Sequence, residues 1–222
     1  MNRDSYLNFL EKFNISNEDF IEYGLNDIIF VPNDKVKNEW KILKNKVYSN
    51  QEAYIRGMGR DAKGTKYMLD VHKNLFGNSN IKKDPSNNAY PTKILENLTG
   101  FSKRKSKNSN LISNYQVSHI FGHTKSALMF MAPWNIVYIP KLFDPFSGHE
   151  SKGELTQTFT SKLKEITYEK FKVQIDDYNS IVNNSKFIDS LNSSIENLKS
   201  NNSEIPQKLL NSIKDEFSEV KI

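Results

Sequence analysis

Residues 114–152 alternate between strand-like runs and turn residues more densely than any other stretch, and they constrain the fold most. Residues 115–120 are rich in aromatic and β-branched side chains and stop at Gly122, which predicts a strand. A second such run, residues 136–139, is closed by Pro140. Apolar residues then follow at the spacing of a helix: Leu155, Phe159, Leu163 and Ile166. This order predicts a strand–loop–strand–helix unit.

Three of the four histidines of the chain fall within this unit. His119 closes the first strand, Asn135 opens the second, and His149 precedes the helix, so each piece carries one polar candidate. His123 lies in the loop between the strands. The fourth histidine, His72, has no acidic or histidine partner at ligand spacing, which favours a structural or surface role.

The whole chain predicts one domain, or one domain with a helical appendage, because its 222 residues suffice for a substantial core. The absence of cysteine excludes disulfides and Cys-based zinc sites, so no structural zinc is expected. No apolar run approaches the roughly 18 residues that span a bilayer, and the first residues lack the apolar region of a signal peptide. We therefore expect a cytoplasmic, prokaryotic intracellular protein with no membrane partner.

The charge distribution favours a polyanionic partner. The chain carries a formal charge of +5 and a pI near 9.1, a modest basic excess. A basic loop directly upstream of the first strand concentrates this charge in four residues: Lys103, Arg104, Lys105 and Lys107. Contact with nucleic acid and simple solvation at the surface are both consistent with such a loop.

Residues 56–66 form a second basic segment, rich in glycine. Gly59 and Gly64 have the spacing of a nucleotide-binding loop, but the next residues are Thr65 and Lys66, the reverse of the order that loop needs. No nucleotide cofactor is therefore expected. Two alternatives stay open: a plain flexible loop, or a turn that approaches a nucleic-acid phosphate with its backbone and three side chains, Arg56, Arg60 and Lys63.

Helical patterns flank the central unit on both sides. Apolar residues recur every three or four positions at 36–47 and 67–75, and Gly24, Gly77 and Gly100 are expected to end helices. The short apolar run at residues 28–31 predicts either a short strand or a loop whose side chains insert into the core. Near the C-terminus, residues 188–198 and 210–220 form two narrow apolar seams, which predict an antiparallel helical hairpin packed on the body or a homodimer interface.

The central unit resembles the ββα-metal, or HNH, nuclease motif, in which histidine, asparagine and histidine occupy these positions in this order. His119-Ile120 matches the first element, and Asn135 follows after 135 − 119 = 16 residues. His149 follows after a further 149 − 135 = 14 residues, an interval that implies an insertion at residues 141–147. Ser118 stands where the family often has an acidic metal ligand.

The resemblance implies roles for the first two residues. Phosphodiester hydrolysis needs a base that deprotonates water, and a neutral imidazole can serve near physiological pH, so His119 is the expected general base. In the family the asparagine is either a metal ligand or the residue that orients the catalytic histidine. Asn135 carries both alternatives.

The third element is expected to complete a metal site. His149 is the expected ligand beside Asn135, with Glu150 or Asp144 as substitutes, and the ion would be Mg²⁺ or Mn²⁺. Lys152, one turn further on, would contact the scissile phosphate. His123 and Lys125, in the loop between the strands, are expected DNA contacts.

Each residue also has an ordinary structural interpretation. His119 would be a hydrogen-bonded core residue between Val117 and Ile120, Asn135 a turn residue after Trp134, and His149 a surface residue near a helix N-terminus. The combination of order, strand–strand–helix context and adjacent basic loop favours the nuclease.

The sequence thus predicts an α+β protein that is mostly helical, with a small central ββα-metal motif and a helical C-terminal region. Residues 1–110 would recognise DNA, residues 111–165 would form the nuclease core, and residues 166–222 would pack on it or dimerise. The resemblance implies a metal-dependent endonuclease of double-stranded DNA, most simply a sequence-specific type II restriction enzyme acting as a homodimer. Two alternatives are a nicking or homing nuclease and a non-catalytic, repressor-like DNA-binding protein.

Overall fold

The computed structural model describes residues 4–59, 62–147, 150–202 and 204–222. These residues form an α+β fold that is mostly helical, which confirms the predicted class. The helices are α1 (Ser5–Lys12), α2 (Asn17–Asn26), α3 (Asn33–Tyr48), α4 (Thr65–Phe76), α5 (Ala89–Thr99), α6 (Ala127–Phe130), α7 (Asp144–Ser147), α8 (Glu154–Val182), α9 (Ser185–Asn201) and α10 (Gln207–Asp215). The strands are β1 (Ile29–Phe30), β2 (Ala53–Ile55), β3 (Ile81–Lys83), β4 (Phe101–Ser102), β5 (Asn110–Leu111), β6 (Tyr115–His119) and β7 (Ile136–Pro140).

The central sheet is antiparallel, with the strand order β1-β7-β6. Strand β6 pairs with β7 so that His119 faces Ile136, and β1 pairs with the other edge of β7. All five residues of β7 are buried, which explains their continuous apolar run. The strands predicted at 115–120 and 136–139 are confirmed, and the short run at 28–31 is the third strand.

Helix α2 begins at a side-chain cap and continues past a glycine. Ser16 accepts a hydrogen bond from the Asp19 amide at 3.0 Å, which caps the start of α2. The prediction that Gly24 ends this helix is wrong, because α2 continues to Asn26. Gly24 is needed for close packing: a Cβ at this position would overlap the ring of Phe143.

The predicted glycine stops are correct for α4 and α5. Gly77 and Gly100 both adopt the left-handed conformation, with φ of 65° and 74°, and their amides bond to carbonyls in the last turn of each helix. Helix α3 likewise follows its pattern. Its four periodic apolar residues are all buried: Val36, Trp40, Leu43 and Val47.

Helix α8 is the longest element, with 29 residues. Its buried side chains recur mostly every fourth residue, from Leu155 to Val182. Because four residues exceed one helical turn of 3.6, such a stripe rotates around a straight helix. The backbone leaves helical geometry at Phe171, with φ −126° and ψ 25°, and this kink lets both halves of α8 bury their stripe.

The C-terminal region departs in part from the predicted hairpin. Helix α9 packs mainly against α4, and α10 ends at Asp215, so the seam predicted to reach Val220 is helical only in its first half. The rest is a non-helical tail held by α8. Asn179 bonds to both the amide and the carbonyl of Val220, and the Tyr178 hydroxyl donates to the Ser218 carbonyl.

One hydrophobic core runs from Leu10 to Val220 through all three predicted regions. Helix α8 crosses the predicted boundary at residue 165 without interruption. The proposed division of labour between residues 1–110, 111–165 and 166–222 stays a prediction about function.

Candidate functional site

His119 ends β6 with its side chain directed at the short helix α6. The Nε2 atom of His119 lies 3.0 Å from the Phe130 carbonyl, and the imidazole stacks on the Phe130 ring with 12° between the planes. A carbonyl can only accept a hydrogen bond, so Nε2 carries the proton and Nδ1 keeps its lone pair. Within the described parts of the chain, no hydrogen-bond donor reaches Nδ1.

Burial keeps this imidazole neutral. The side chain is 9% exposed, and desolvation lowers the pKa of His119 from 6.5 to about 4. The hydrogen bond to Phe130 opposes this shift, and the positive charges of Arg56 and Lys125 add to it. At neutral pH the residue is therefore an uncharged ring with one basic nitrogen.

Asn135 holds the loop between β6 and β7 in place. Its Oδ1 accepts from the Phe121 amide at 2.9 Å, and its Nδ2 donates to the carbonyls of Gly122 and Met129 at 3.2 and 3.0 Å. The side chain is completely buried. In this conformation Asn135 positions the loop, and the alternative role as a metal ligand would require the amide to leave these bonds.

Helix α6 joins these groups. His119 and Asn135 bond to two consecutive carbonyls at its C-terminal end, those of Phe130 and Met129. At the other end the Ala127 amide donates to Nε2 of His72 at 3.1 Å, while Nδ1 of His72 donates to the Met68 carbonyl at 2.7 Å. Burial lowers the pKa of His72 to about 4. Of the two roles predicted for His72, the structure shows the structural one.

Two charged residues from outside the central unit lie near His119. Strands β2 and β3 are parallel, so their carboxyl ends meet at one edge, where Arg56 and Asp84 follow them. Both residues influence the pKa of His119, Arg56 lowering it and Asp84 raising it. Arg56 is exposed. Asp84 is buried and accepts from three backbone amides around the start of α5: Ser86, Ala89 and Tyr90.

The other predicted loop residues, Lys125 and His123, contact the C-terminal region. The Lys125 ammonium pairs with Glu216 at 3.1 Å, and its backbone amide donates to the same carboxylate at 2.8 Å. Burial lowers the pKa of His123, and the nearby Glu216 opposes that shift. The structure thus places Lys125 beside His119 but already paired with an acidic residue.

The glycine-rich segment at 56–66 is only partly described. Arg60 lies outside the described residues, and Lys63 is exposed. The amide of Gly57 donates to Asn87 and that of Met58 donates to Thr65, so the described part is tied to the starts of α5 and α4. Arg56, one of the predicted phosphate-binding side chains, lies near His119.

Helix α7, which contains the substitute ligand Asp144, packs on the face of β6 opposite His119. His149 lies outside the described residues, and α8 begins at Glu154. Side chains alternate along a strand, and Ser118 bonds to Ser147 of α7 at 2.8 Å, whereas His119 faces α6. Lys152 is exposed just before α8.

The two substitute metal ligands, Asp144 and Glu150, are electrostatic neighbours. Burial raises the pKa of Asp144, the negative charge of Glu150 raises it further, and Lys103 and Lys141 oppose both. Within the described residues, no group of three or more His, Cys, Asp or Glu side chains is arranged to hold a metal ion.

The basic loop adjoins Gln116 of β6, on the face opposite His119. Burial and the charge of Lys141 lower the pKa of Lys103, and Glu96 opposes this shift. Lys103 and Arg104 line a cavity together with Gln116 of β6, whereas Lys105 and Lys107 are exposed and do not line it. Of the predicted DNA-binding residues, Arg56 thus lies near His119, and Lys103 and Arg104 lie near Gln116.

Asp84 is the residue of this site that sequence reasoning missed. It follows the short run of β3 and precedes Pro85, in a stretch that is otherwise a polar loop. An aspartate followed within a few residues by a helical pattern is a helix-cap signal, which could have marked it. No local pattern could reveal that it lies beside His119.

Comparisons with known proteins identify relatives along nearly the whole chain. Residues 31–222 match the family model described as "Uncharacterised protein PM1201". A protein of the same description from Pasteurella multocida (strain Pm70) is 44% identical over 220 residues, covering 97% of this chain and 96% of the relative. No solved structure matches the chain significantly.

No helix within the described ranges is both long and apolar enough to cross a membrane.

The match over residues 31–222 includes both β6 and β7, and the full-length relative also spans the N-terminal helices. The chain belongs to the PM1201 family.

Proposed function

We propose that the protein is an endonuclease that hydrolyses phosphodiester bonds of double-stranded DNA, with His119 as the general base. The observation that carries this proposal is the orientation of His119. The Phe130 carbonyl fixes its tautomer, and the basic Nδ1 is left without a partner among the described residues. An imidazole held in this way presents a free lone pair to a proton, and burial makes it a weaker base than an exposed histidine.

The surroundings of His119 fit this chemistry. Nδ1 takes a proton from a water molecule, whose oxygen forms a bond to phosphorus. The bond from phosphorus to the leaving oxygen then breaks, and that oxygen takes a proton from solvent. The exposed guanidinium of Arg56 supplies positive charge for the pentacovalent phosphorus, and Asn135 keeps the loop in position through its three hydrogen bonds.

A divalent cation belongs to the proposal. The carboxylates of Asp144 and Glu150 are donors that suit Mg²⁺ or Mn²⁺, and the charge of Glu150 already acts on Asp144. Because α7 packs on the face of β6 opposite His119, a cation held there would help to bind the DNA by its phosphates and would not reach the phosphate attacked beside His119. The bonds of Asn135 favour a positioning role for this residue, so the ligand set proposed here rests on the two carboxylates.

The substrate follows from the two groups of basic residues. Lys103 and Arg104 lie near Gln116, while Arg56 lies near His119 three residues further along β6. Gln116 and His119 point to opposite faces of β6, so a duplex that contacts both groups would pass over the edge of this edge strand. We propose a sequence-specific, restriction-type enzyme in the cytoplasm, with a homodimer placing one site on each strand of a palindrome.

The test is incubation of the purified protein with plasmid and phage DNA and with Mg²⁺ or Mn²⁺. We expect discrete DNA fragments that disappear in EDTA and with His119→Gln. Glutamine keeps an N–H group that can reach the Phe130 carbonyl, but it has no basic nitrogen. Loss of cleavage would then report the missing base and not a missing structural bond. Glu22→Gln, at an exposed position of α2, is the control and should keep activity.

The outcomes separate the alternatives. A smear of fragments that depends on metal and on His119 in the same way would support the nuclease activity and contradict its sequence specificity. Nicked circles would indicate the nicking enzyme. Intact DNA at every metal concentration would overturn the proposal that the protein is a nuclease.

The burial of His119 favours a second candidate, a non-catalytic DNA-binding protein. With 9% exposure, and with Nε2 bonded to the Phe130 carbonyl, this histidine also satisfies the requirements of a core residue. Such a protein would shift DNA on a gel without metal, and His119→Gln would leave its affinity unchanged.

A further inference from the structure

A cavity of about 430 Å³ lies between α5, the basic loop and β6. This volume falls within the range of natural small-ligand sites. The first turn of α5 forms one wall, the basic loop forms the rim, and β6 contributes one side chain. The residues that matter for binding are Asn88, Thr92, Lys93, Lys103, Arg104 and Gln116.

The charge of the cavity suits an anion. Three cationic side chains line it, Lys93, Lys103 and Arg104, against a single carboxylate, Glu96. That carboxylate is already engaged, because the Ser102 hydroxyl donates to it at 2.6 Å. A phosphate group at the rim would offset the excess positive charge.

The polar side chains of the cavity suit a nucleobase. Oδ1 of Asn88 is buried and has no hydrogen-bond partner among the described residues, so a small turn of this side chain towards the cavity would offer an acceptor to a ligand N–H. Gln116 adds a second amide in the same cavity. Asparagine and glutamine amides are the usual partners of base edges, because each offers both a donor and an acceptor.

We propose that this cavity binds one nucleotide of the DNA, with its phosphate at Lys103 and Arg104 and its base edge at Asn88 and Gln116. This inference rests on the proposed nuclease function for the identity of the ligand. The base would have to leave the double helix, as it does in enzymes that extrude a nucleotide into a pocket.

The position of the cavity links it to His119. Gln116 precedes His119 by three residues on β6, a distance of about 10 Å along the strand, and their side chains point to opposite faces. Because β6 is an edge strand, a DNA backbone that passes over this edge could join a nucleotide bound in the cavity to the phosphate at His119. The cavity would act as the reader of one base in the recognition sequence.

The experiment is calorimetric titration of the full-length protein with each of the four deoxynucleoside 5′-monophosphates in metal-free buffer. We expect saturable binding of at least one of them, with inorganic phosphate and the matching nucleoside each at least about tenfold weaker. The double variant Lys103→Ala, Arg104→Ala should weaken binding by about tenfold or more. The matched pair Lys105→Ala, Lys107→Ala, in the same loop but outside the cavity, should bind as the wild type does.

A further variant tests the base contact. Gln116→Met keeps the length of the side chain and removes its amide, so it should reduce the differences in affinity among the four nucleotides. Three results would overturn the inference: no saturable binding of any nucleotide, equal affinity for phosphate alone, or equal losses in the two double variants.

The same titration separates this inference from the nuclease proposal. His119→Gln should bind the mononucleotide with unchanged affinity while it loses DNA cleavage. Nucleotide binding by a protein that never cleaves DNA would overturn the nuclease alone. Cleavage by a protein that binds no mononucleotide would overturn the cavity alone.

Discussion

His72 and His119 are two buried imidazoles that the fold keeps neutral. Each has a pKa near 4 in the folded protein, against 6.5 for an exposed histidine. The unfolded chain therefore binds more protons than the folded chain between these values. Stability is complete above about pH 6.5 and is lost as the pH falls towards 4.

Acidification should consequently weaken the fold through these two residues. From pH 7.5 to pH 5 we expect each histidine to lower the free energy of unfolding by about 2 kcal/mol. Urea denaturation at several pH values measures this loss. His119→Gln should remove its own share, so an unchanged pH dependence in that variant would contradict the assigned burial.

Asn135 should be among the residues most sensitive to substitution. Asn135→Ala leaves the Phe121 amide and the Gly122 carbonyl without these partners in a completely buried place, and the Met129 carbonyl keeps only its backbone donor, which we expect to cost about 3 kcal/mol or more. Thermal or urea unfolding would measure it. The exposed Asn108→Ala should change stability by less than about 0.5 kcal/mol, and a similarly small effect at Asn135 would show that its bonds do not hold the loop.

For single residues, the sequence predicted the place of a side chain within its strand or helix better than the groups that surround it. Residue order alone placed His119 at the end of a strand and Asn135 at the start of the next. It could not show that both bond to carbonyls of α6, because backbone acceptors leave no trace in side-chain identity. Asp84 was missed for a similar reason, since its proximity to His119 depends on tertiary packing.

At the level of elements, apolar spacing predicted most helices, and the corrections come from packing. Gly24 has the identity of a helix stop, yet it lies inside α2. Glycine is needed there because the Phe143 ring occupies the space that a Cβ would fill. The tail after Asp215 carries helical spacing, but bonds from α8 hold it in another conformation. Helix propensity is weak enough for such contacts to override it.

Gly24→Ala tests this explanation directly. Alanine favours a helix interior by about 1 kcal/mol over glycine, so propensity alone predicts a more stable protein. We expect the opposite, a loss of about 1–3 kcal/mol, because the new methyl group forces the Phe143 ring to move. The exposed neighbour Glu22→Ala serves as the control in the same unfolding measurement, and stabilisation by Gly24→Ala would refute the packing argument.

At the level of the whole molecule, the central unit depends on both flanking regions. Strand β7 pairs with β6 on one edge and with β1, from the N-terminal region, on the other. Trp134, completely buried just before β7, packs against Trp40 of α3 and Tyr178 of α8. The sequence patterns are local, so they could not show which distant segments cover the unit.

An isolated fragment of residues 111–165 should therefore not fold. It lacks β1, Trp40 and Tyr178, and it would expose the apolar faces that they cover. Circular dichroism should show little secondary structure and no cooperative melting, in contrast to the full chain. A cooperative transition in the fragment would instead support an autonomous ββα unit.

The four-residue helix α6 depends on contacts made by single residues from several other elements. Short helices open easily on their own because nucleation is costly and few bonds hold them. Here the amide at one end bonds to His72 and the carbonyls at the other bond to His119 and Asn135, all within the core. The amide hydrogen of Ala127 should accordingly exchange with deuterium only when the entire protein unfolds, which would make one of the shortest helices one of the slowest to exchange.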